Sequence, residues 1–484
     1  MTLGHPSLHD LLVIEDDAAI LGFRCPDTGY LTWPLLRNQF LRALISQLYY
    51  GDAALVAPPP AGRHRRALVA LPKTLWRNAR QWSDMRSDIL IMASGAGHFP
   101  RQGRSFNRIT DYFAGQRMAQ TRTIEGLMDW QVPARTWNTR TSYYLPWQGA
   151  MLLRARLNRK PRHAAHAREL VAFVNARAVD RLGVRLSAAQ LGVLVERVAA
   201  KLSQLPAMAG TYRSLFDRVR PRLLLLEQAC YSDHGVFNQV AREAGVRVAE
   251  PQHGMITGGH DAYNYAPTVR DSEAFRACLP HDLLTYGPWW GAQADAPVRK
   301  RSIGHPHYIE QTRVLDHGQE KTDILLLSDG FEFGKYLDLG RDLHARLGSR
   351  FRVVVRPHPI ERVQVRATHG TSAGGVFIDQ QPDIYASFAS AFAVAGEVST
   401  GLFEAVGLAR HVVLWATPKG RFSFPSHPFL ECETSEALAD LLLTRRPDDE
   451  GLDMAEIWAT DWQGNYDRYL EEVLGNGESG KGGA

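Results

Sequence analysis

Short apolar runs that end in small or polar residues recur along this chain. Clear examples are residues 89–93, 223–226, 324–327, 353–355 and 391–395. A run of this length bounded by turn-forming residues is typical of a strand that is buried on both faces of a parallel sheet. The pattern therefore predicts a series of strands whose carboxyl ends carry small, polar loops.

Segments with a helical spacing of apolar residues separate these runs. They cover residues 36–49, 161–219, 236–244 and 402–408, and the second is long enough for two or three helices. Strands that alternate with helices through short connections are expected to be parallel and joined by right-handed crossovers. The chain is therefore predicted to be an α/β protein.

Two further apolar runs lie near the amino terminus. Residues 11–14 precede Glu15, and residues 67–71 precede Pro72. Because short apolar runs bounded by turn signals are typical of strands, the pattern predicts a strand at each position.

The chain has 484 residues, which is too long for one ordinary core and predicts two domains. We assign residues 1–316 to a first Rossmann-like domain that includes the helical segment 161–219. Residues 317–474 form a second Rossmann-like domain, and residues 475–484, rich in Gly, are expected to be disordered. Two such domains face each other across a cleft, and ligands bind at the carboxyl ends of their strands.

Composition fits a globular protein of the cytoplasm. Hydrophobic residues make up 45% of the chain and charged residues 22%, with no apolar run long enough to span a membrane and no secretory signal at the amino terminus. The four cysteines lack the C-x-x-C spacing of a zinc site. His305-Pro306-His307 has no third ligand at a readable distance, so no metal is expected.

The formal net charge of +5 is too small to indicate nucleic-acid binding. Basic residues nevertheless cluster at residues 63–66 and 154–168. Such clusters either contact anionic lipid head groups or an acidic glycan, or only solvate the surface. Peripheral contact with the inner-membrane surface is therefore left open.

A strand that ends in Arg356-Pro357-His358-Pro359 delivers a cation and an imidazole to the edge of the second sheet. The two prolines restrict the backbone and present His358 with little residual freedom. Arg356 and His358 are both suited to phosphate oxygens.

A second loop in the same domain has hydroxyl groups at the start of a predicted helix. Ser399 and Thr400 can cap that helix or hold a phosphate, and Gly401 allows close approach to the backbone. Glu404, one turn further on, is a candidate acceptor of hydrogen bonds from a ribose.

Candidate acid/base groups follow two other strands. Asp329, directly before Gly330, is a candidate general base or carboxylate nucleophile. Glu250 and His253 end a strand of the first domain and are candidates for the same chemistry.

Other polar residues are candidates for binding an acceptor. Gln252 and His260 lie in the loop that carries His253, and Ser94 begins a Gly-rich loop. Glu125 and Asp129 are weaker candidates from the same domain.

The order of Gln252-His253-Gly254, Arg356-Pro357-His358-Pro359 and Ser399-Thr400-Gly401 resembles the bacterial capsule and lipopolysaccharide glycosyltransferases of GT-B fold. Among these, it is similar to the CMP-sugar-using β-Kdo transferases and sialyltransferases. The resemblance covers residues 220–430. The chain lacks the paired acidic residues that sialyltransferases carry upstream of these motifs.

This resemblance implies a GT-B fold in which the first domain binds the acceptor and the second binds the nucleotide sugar. It implies that His358 with Pro359, and Ser399 with Thr400, hold the CMP phosphate. Asp329 stands where these families place a catalytic carboxylate. Glu250 stands near the second carboxylate of the retaining Kdo group.

The sequence thus predicts transfer of a sugar, Kdo or another ulosonic acid, from a CMP-linked donor to a bacterial surface polysaccharide or glycolipid. The expected partners are a nucleotide sugar and a glycan acceptor, without a cofactor, a metal or nucleic acid. Inversion and retention remain open. The alternatives are a CDP-glycerol-type polyol-phosphate transferase and a catalytically inactive glycan-binding assembly subunit.

Overall fold

The structure is a computed structural model that describes residues 5–51, 63–81, 85–128, 130–231, 234–315, 318, 320–444 and 453–475. Three sequence predictions fall outside this range. They are the disordered tail beyond residue 475, the domain boundary at residues 316 and 317, and the weak candidate Asp129.

Sixteen strands lie within the described residues. They are β1 (Ile89–Ala93), β2 (His98–Arg101), β3 (Arg104–Asn107), β4 (Thr121–Glu125), β5 (Thr141–Tyr143), β6 (Leu223–Leu226), β7 (Arg247–Pro251), β8 (Asp282–Thr285), β9 (Arg299–Ser302), β10 (Asp323–Leu327), β11 (Arg352–Arg356), β12 (Ser372–Ala373), β13 (Val376–Ile378), β14 (Ala391–Gly396), β15 (His411–Trp415) and β16 (Leu430–Cys432).

The described residues also form twenty α-helices. They are α1 (Leu8–Leu12), α2 (Trp33–Tyr49), α3 (Arg63–Gln81), α4 (Asp111–Gln116), α5 (Leu145–Leu157), α6 (Pro161–Leu182), α7 (Ala188–Val219), α8 (Gly235–Glu243), α9 (Pro267–Arg270), α10 (Glu273–Arg276), α11 (Pro288–Ala292), α12 (Pro306–Arg313), α13 (Phe333–Leu347), α14 (Arg362–His369), α15 (Ile384–Ala389), α16 (Gly401–Ala405), α17 (Pro418–Ser423), α18 (Ser435–Thr444), α19 (Met454–Ile457) and α20 (Trp462–Gly475).

The first domain is built on a seven-stranded parallel sheet in the order β5-β4-β1-β6-β7-β8-β9. The chain starts at the centre with β1, moves outward through β4 and β5, and returns to β6 on the other side. The order therefore reverses between β1 and β6. In doubly wound sheets this reversal opens a crevice beyond the carboxyl ends of the two strands, where ligands bind. We call this crevice the first switch point.

The second domain repeats the arrangement in the order β12-β13-β11-β10-β14-β15-β16. All neighbouring pairs are parallel except β12 with β13. The order reverses between β10 and β14, which defines the second switch point. The two sheets confirm the predicted fold class of two Rossmann-like α/β domains in a GT-B arrangement.

The predicted helical segment of the first domain is also confirmed. Helix α6 begins at Pro161, a residue that fits a first helical turn, and ends at Gly183, which has a φ of 68°. Helix α7 begins after Ser187, whose side chain and that of Gln190 form a capping box. The two helices pack against each other and beside α5.

Two predicted strands are wrong. Residues 11–14 lie in α1 and a following 3₁₀ turn, because Ser7 and Asp10 form a capping box that starts a helix. Residues 67–71 lie in α3, which continues through Pro72. The apolar run of α3 is not a buried strand, since Leu68 and Val69 are largely exposed.

The domains share a buried interface. Leu224 of β6 and Leu325 of β10 belong to one continuous apolar cluster. Trp290 Nε1 donates a hydrogen bond of 3.0 Å to Ile457 O, and Tyr308 OH donates one of 3.2 Å to Val406 O. These contacts hold the carboxyl ends of the two sheets toward each other.

The last helix returns to the first domain. Tyr466, Tyr469 and Leu470 of α20 pack in a buried cluster with Ile89 of β1 and Leu223 of β6. The chain therefore crosses between the domains twice. No helix among the described residues is long and apolar enough to cross a membrane.

Candidate functional site

A buried lysine lies at the second switch point. Lys419 follows β15 in α17, a helix capped by Thr417, and its Nζ lies 2.7 Å from Asp329 Oδ2. It is also 2.6 Å from Glu332 Oε2 and 2.6 Å from Glu397 Oε2. We call these four residues the lysine cluster. It ties together the loops that follow β10, β14 and β15.

The Lys419 ammonium limits what the three carboxylates of the lysine cluster can bind. The three carboxylates lie close enough together to hold a metal ion, but the Lys419 ammonium is bonded to all of them. Burial alone would lower the pKa of Lys419, yet Glu397 and Asp329 raise it above its usual value. The lysine is therefore charged and serves as the cation of this site.

Asp329, the predicted base or nucleophile, is fully engaged. Besides the bond to Lys419, its Oδ1 accepts hydrogen bonds from the backbone N–H groups of Phe331 at 3.0 Å and Glu332 at 3.2 Å. These bonds form a turn that leads into α13. The carboxylate is thus held as a paired, buried anion.

Arg356 is also engaged. Its guanidinium is buried and forms an ion pair with Asp379, and it donates hydrogen bonds of 3.0 Å to Ser387 Oγ and 3.1 Å to Gln381 O. These contacts fasten the end of β11 to residues 379–387. The arginine supports the His358 loop, and its predicted contact with a donor stays a prediction.

His358 lies on the surface above Gly330. A Cβ at Gly330, where φ is 88°, would lie 2.9 Å from His358 Nδ1, so only glycine allows the ring to lie there. Nδ1 accepts a hydrogen bond of 3.3 Å from the Ile360 N–H, and the His358 N–H donates to Glu361. The proton of the neutral ring is therefore on Nε2, which can donate to an anion. Partial burial lowers the pKa of His358, while Asp329 opposes that shift.

The predicted hydroxyl pair, Ser399 and Thr400, is half-buried and follows β14. Ser399 Oγ accepts a 3.1 Å hydrogen bond from the Gly401 N–H, and Thr400 begins α16, which is only five residues long. A Cβ at Gly401 would lie 2.8 Å from Leu327 Cδ1. Gly401 is thus required for packing against β10.

The strand registers bring the His358 loop and the hydroxyl pair together. Leu327, at the end of β10, is level with Arg356 on one side and Gly396 on the other. Neighbouring strands are about 4.8 Å apart. His358 leans over Gly330, in the central loop, and Ser399 is on that loop's other side. One phosphate-sized ligand above Gly330 would therefore be within reach of both.

Glu404 is the predicted ribose contact, and that role stays a prediction. It is buried, and its Oε2 has no hydrogen-bond partner within the described parts of the chain. Burial raises the pKa of Glu404, and Arg108 of the first domain opposes the shift. The residue thus lies at the domain interface, where it faces Arg108 and Tyr385.

A cavity of about 150 Å³ occupies the first switch point. Ser94, after β1, and Glu227, after β6, lie at its two sides, and the Ser94 N–H donates a 3.0 Å hydrogen bond to Glu227 Oε2. Its remaining walls are largely aromatic and apolar. The lining residues are Met92, Ala93, Ser94, Gly126, Tyr144, Tyr212, Leu226, Glu227, Gln228, His234 and Phe237.

Two more buried carboxylates lie behind this cavity. Burial raises the pKa of Asp111 to about 6, and the nearby Glu227 adds to the effect. Burial also raises the pKa of Glu125 well above its usual value, with Asp111 and Glu227 contributing. His98 contacts the Glu125 carboxylate. We call Asp111, Glu125 and Glu227 the acidic cluster.

The predicted pair Glu250 and His253 forms at the end of β7. Glu250 is fully buried, and its carboxylate accepts hydrogen bonds from the Cys230 N–H at 2.6 Å and the Tyr263 hydroxyl at 2.7 Å. His253 Nδ1 lies 3.5 Å from Glu250 Oε1. Burial would raise the pKa of Glu250, but His253, Tyr263 and the Cys230 N–H hold it below its usual value.

This arrangement orients the His253 ring. A charged carboxylate beside Nδ1 favours the tautomer with its proton on that nitrogen, which leaves the lone pair on Nε2. The Glu250–His253 pair can therefore act as a general base, with the carboxylate stabilising the imidazolium that forms.

The predicted acceptor contacts Gln252 and His260 are occupied within the protein. The Gln252 side chain donates to Gly254 O at 2.8 Å and accepts from the Tyr286 N–H at 2.7 Å. His260 bonds the Tyr231 hydroxyl and the Ala262 N–H, and burial lowers its pKa to about 4. Both residues shape the loop that carries His253.

That loop reaches the second domain. Thr257 Oγ1 donates a 2.6 Å hydrogen bond to Ser423 O, at the end of α17. A Cβ at Gly259 would overlap Phe422 O, so the backbones touch there. Because α17 also carries Lys419, the His253 loop and the lysine cluster are joined by one short helix.

The structure thus gathers the predicted residues into two groups. His358 lies against Gly330, and Ser399 and Thr400 follow β14 on the other side of β10 at the same switch point, whereas Glu250 and His253 meet in the first domain. Sequence reasoning did not select Lys419 or Glu227. Glu227 directly follows a buried strand run, which was a usable signal. Lys419 had none, since it meets Asp329 across 90 residues of chain.

No protein-family model matches this sequence, and no curated protein sequence matches it. Solved structures of similar chain path include the UDP-GlcNAc 2-epimerase of Neisseria meningitidis bound to UDP-GlcNAc. It has 9% identity and a TM-score of 0.44, and the match covers 80% of this chain and 99% of the epimerase.

A UDP-GlcNAc 2-epimerase from Methanocaldococcus jannaschii is 8% identical with a TM-score of 0.43, covering 79% of this chain and 99% of its own. The wall teichoic acid polymerase TagF is 11% identical with a TM-score of 0.42, covering 87% of this chain and 98% of its own. Likeness at this level concerns the two-domain chain path and says nothing about activity.

Proposed function

We propose that this protein is a glycosyltransferase that moves a sugar from a CMP-linked donor to a glycan or glycolipid acceptor of the bacterial surface. The observation that carries the proposal is that the loop of His358 and the loop of Ser399 and Thr400 follow the two strands that flank β10, at the second switch point. The oriented Glu250–His253 pair of the first domain supplies the other half of the chemistry.

The donor phosphate is assigned to the space above Gly330. His358 Nε2–H and the hydroxyls of Ser399 and Thr400 would donate to its oxygens and stabilise the charge that develops as the phosphate leaves. Gly330 and Pro359 keep His358 in place. Lys419 is already paired with three carboxylates, so the proposal assigns it the role of holding the loops and assigns no role to a metal.

The acceptor hydroxyl is assigned to His253. In the transfer step its oxygen bonds the anomeric carbon while the bond from that carbon to the phosphate oxygen breaks. His253 Nε2 takes the hydroxyl proton, and CMP departs with the electron pair of the broken bond. Because Asp329 is held by Lys419 and two backbone N–H groups, we favour this inverting route over a carboxylate nucleophile.

The donor sugar is proposed to be Kdo or another ulosonic acid on the strength of the motif resemblance. The phosphate-binding group and the base would serve a CDP-glycerol-type polyol-phosphate transfer equally well. In that reaction the hydroxyl attacks phosphorus and the product contains a phosphodiester. The identity of the product therefore separates the two reactions.

The test incubates the purified protein with CMP-Kdo, other CMP-ulosonic acids, CDP-glycerol, UDP-sugars or GDP-sugars and a lipopolysaccharide-core acceptor. Nucleotide release and product mass are measured. We expect release of CMP with an inverted glycosidic linkage. Turnover of only UDP- or GDP-sugars, or a phosphodiester product, would contradict the CMP-sugar assignment. CMP binding without turnover on any donor would favour the inactive subunit.

Single substitutions then test the role proposed for each residue. His358→Ala is expected to lower kcat/KM by about 100-fold, and His253→Ala to lower kcat by a similar factor, because each removes a group that acts in the transition state. His9→Ala, at an exposed position of α1, is the matched control and should leave turnover unchanged. Wild-type turnover by the folded His253 variant would remove that residue as the base.

A further inference from the structure

Helix α3 is attached to the first domain by its polar side. Asn78 Nδ2 donates a 2.8 Å hydrogen bond to Tyr143 O, and the Tyr143 N–H donates one of 2.7 Å to Asn78 Oδ1, so that Asn78 caps the edge strand β5. Thr74 is buried on the same side, and Arg77 Nη2 donates to Ala134 O at 2.7 Å. The side of the helix that faces the protein thus carries polar residues together with the small, buried Ala70.

The apolar side of α3 faces outward. Leu68, Pro72, Leu75, Trp76 and Ala79 are spaced i, i+4, i+7, i+8 and i+11, which places them along one stripe of a helix. Leu68 is 68% exposed, Leu75 50% and Trp76 57%. A stripe of this kind normally packs into a core. Here it is presented to the surroundings.

Helix α5 extends the apolar surface. It packs against α3 and exposes Leu153 and Leu157, spaced i, i+4, which are 62% and 84% exposed. Large contiguous apolar patches on a protein surface mark sites of contact with another molecule or a membrane. We call the outer sides of these two helices the α3–α5 face.

The charges on the α3–α5 face are all of one sign. Arg66, Lys73 and Arg80 follow each other at intervals of seven residues along one border of the apolar stripe, and all three are exposed. The Arg80 guanidinium lies 4.3 Å from the centre of the Trp76 ring. Helix α5 adds the exposed Arg154. Neither helix contains an acidic residue.

We propose that the α3–α5 face docks this protein on the surface of an anionic lipid bilayer. Apolar side chains with a tryptophan enter the head-group region, while the bordering cations contact lipid phosphates. The charges on this face favour an anionic bilayer over a second copy of the protein. A second copy of this face would place the same cations in an interface that offers them no carboxylate, whereas an anionic bilayer provides a counter-charge for each.

The docked orientation has a consequence for the cavity at the first switch point. Helix α5 starts directly after Tyr144, which lines that cavity. Docking would therefore place on the bilayer surface a helix that begins at the wall of this cavity. The docking proposal itself does not depend on the reaction proposed above, so each can fail without the other.

Flotation of the full chain with lipid vesicles tests the proposal. We expect binding to vesicles of equal parts phosphatidylcholine and phosphatidylglycerol, and little binding to phosphatidylcholine alone. Replacing Leu68, Leu75 and Trp76 together by serine should reduce the bound fraction about tenfold or more, since it removes the inserted apolar groups. No binding by the wild type, or equal binding by the variant, would overturn the proposal.

The matched control replaces three exposed apolar residues elsewhere, Val314, Val363 and Leu443, by serine. This variant should bind as the wild type does. Loss of binding in both variants to the same extent would mean that no particular face is used, and would also overturn the proposal. A wild-type dimer that the Leu68, Leu75 and Trp76 variant converts to a monomer, without vesicle binding, would assign the face to self-association.

A second measurement does not rely on the folding of a triple variant. The four native cysteines are buried, so a Leu75→Cys variant can be labelled at one position with an environment-sensitive fluorophore. Its emission should shift to the blue with anionic vesicles, whereas the same label at Val363→Cys should not shift. A label at position 75 that stays in water while the protein floats would contradict docking through this face.

Discussion

The two sheets each bring three carboxylates to the region of their switch points, and the two groups are built in opposite ways. In the second domain, Asp329, Glu332 and Glu397 surround the Lys419 ammonium. In the first domain, the acidic cluster has no lysine or arginine bonded at its centre within the described residues, and burial raises the pKa of two of its members.

This difference separates two uses of buried charge. Carboxylates that share a buried lysine fix the loops that they belong to, and in the second domain these are the loops that follow β10, β14 and β15. Carboxylates that are buried without a cation tend to keep their protons, and a protonated carboxyl both donates and accepts hydrogen bonds.

Removal of the central cation should have the largest effect. Lys419→Met leaves three carboxylates in a buried site without compensation, and we expect it to destabilise the protein by about 3–5 kcal/mol in urea unfolding at neutral pH. Lys335→Met is the matched control, because Lys335 pairs with Glu332 but is 57% exposed. Its effect should be within about 1 kcal/mol. Equal, small effects would mean that the cluster is not held by its lysine.

Removing a charge from the acidic cluster should stabilise the protein, whereas removing the charge of Lys419 should destabilise it. The pKa of Asp111 is about 6 when folded, above its usual value of 3.8, so the carboxyl stabilises the fold below pH 3.8 and loses that contribution as the pH rises through 6. Asp111→Asn keeps an acceptor for the Asn107 N–H and removes the loss. We expect it to stabilise the protein by about 1–3 kcal/mol near pH 7.5.

The pH dependence is the sharper part of that measurement. The advantage of Asp111→Asn in urea unfolding should shrink as the pH falls from 7 toward 5. Asp27→Asn is the matched control. Asp27 pairs with Lys160 and His163, so its replacement should destabilise the protein at every pH in that range. Destabilisation by both substitutions at pH 7.5 would show that the Asp111 carboxylate is compensated after all.

The contrast between the clusters also shows where sequence reasoning stops. Strand runs followed by polar loops correctly located the ends of β1, β7, β10, β11 and β14, because a buried strand and its turn are encoded locally. Pairing is not encoded locally. Asp329 looked available from its neighbours in sequence, and only the fold shows that Lys419 holds it. Arg356 likewise pairs with Asp379, which its neighbours in sequence do not reveal, and its predicted contact with a phosphate stays a prediction.

Helix α3 shows a second limit of the same kind. Its run of apolar residues, 67–71, predicts a buried strand when an apolar side chain is assumed to face a core. The residues that face inward are Ala70, Thr74 and Asn78, and of these Asn78 forms hydrogen bonds with β5. The spacing of apolar residues shows that two faces of a helix differ in polarity. It does not show which of the two faces packs against the protein.

The smallest expected changes in stability come from removing single buried hydroxyl groups, one in each domain. Tyr336 OH donates a 3.2 Å hydrogen bond to Glu397 in the lysine cluster. Tyr336→Phe should destabilise the protein by about 1 kcal/mol, since Glu397 keeps its bonds to Lys419 and Thr417.

Tyr466 of the first domain provides the matched comparison. It is equally buried, yet its hydroxyl has no hydrogen-bond partner among the residues that the structure describes. Tyr466→Phe therefore removes a group whose burial is uncompensated, and we expect unchanged or slightly higher stability in urea unfolding. If both substitutions cost the same, partnership within the lysine cluster contributes nothing beyond burial, and the distinction between compensated and uncompensated polar groups would fail at its simplest case.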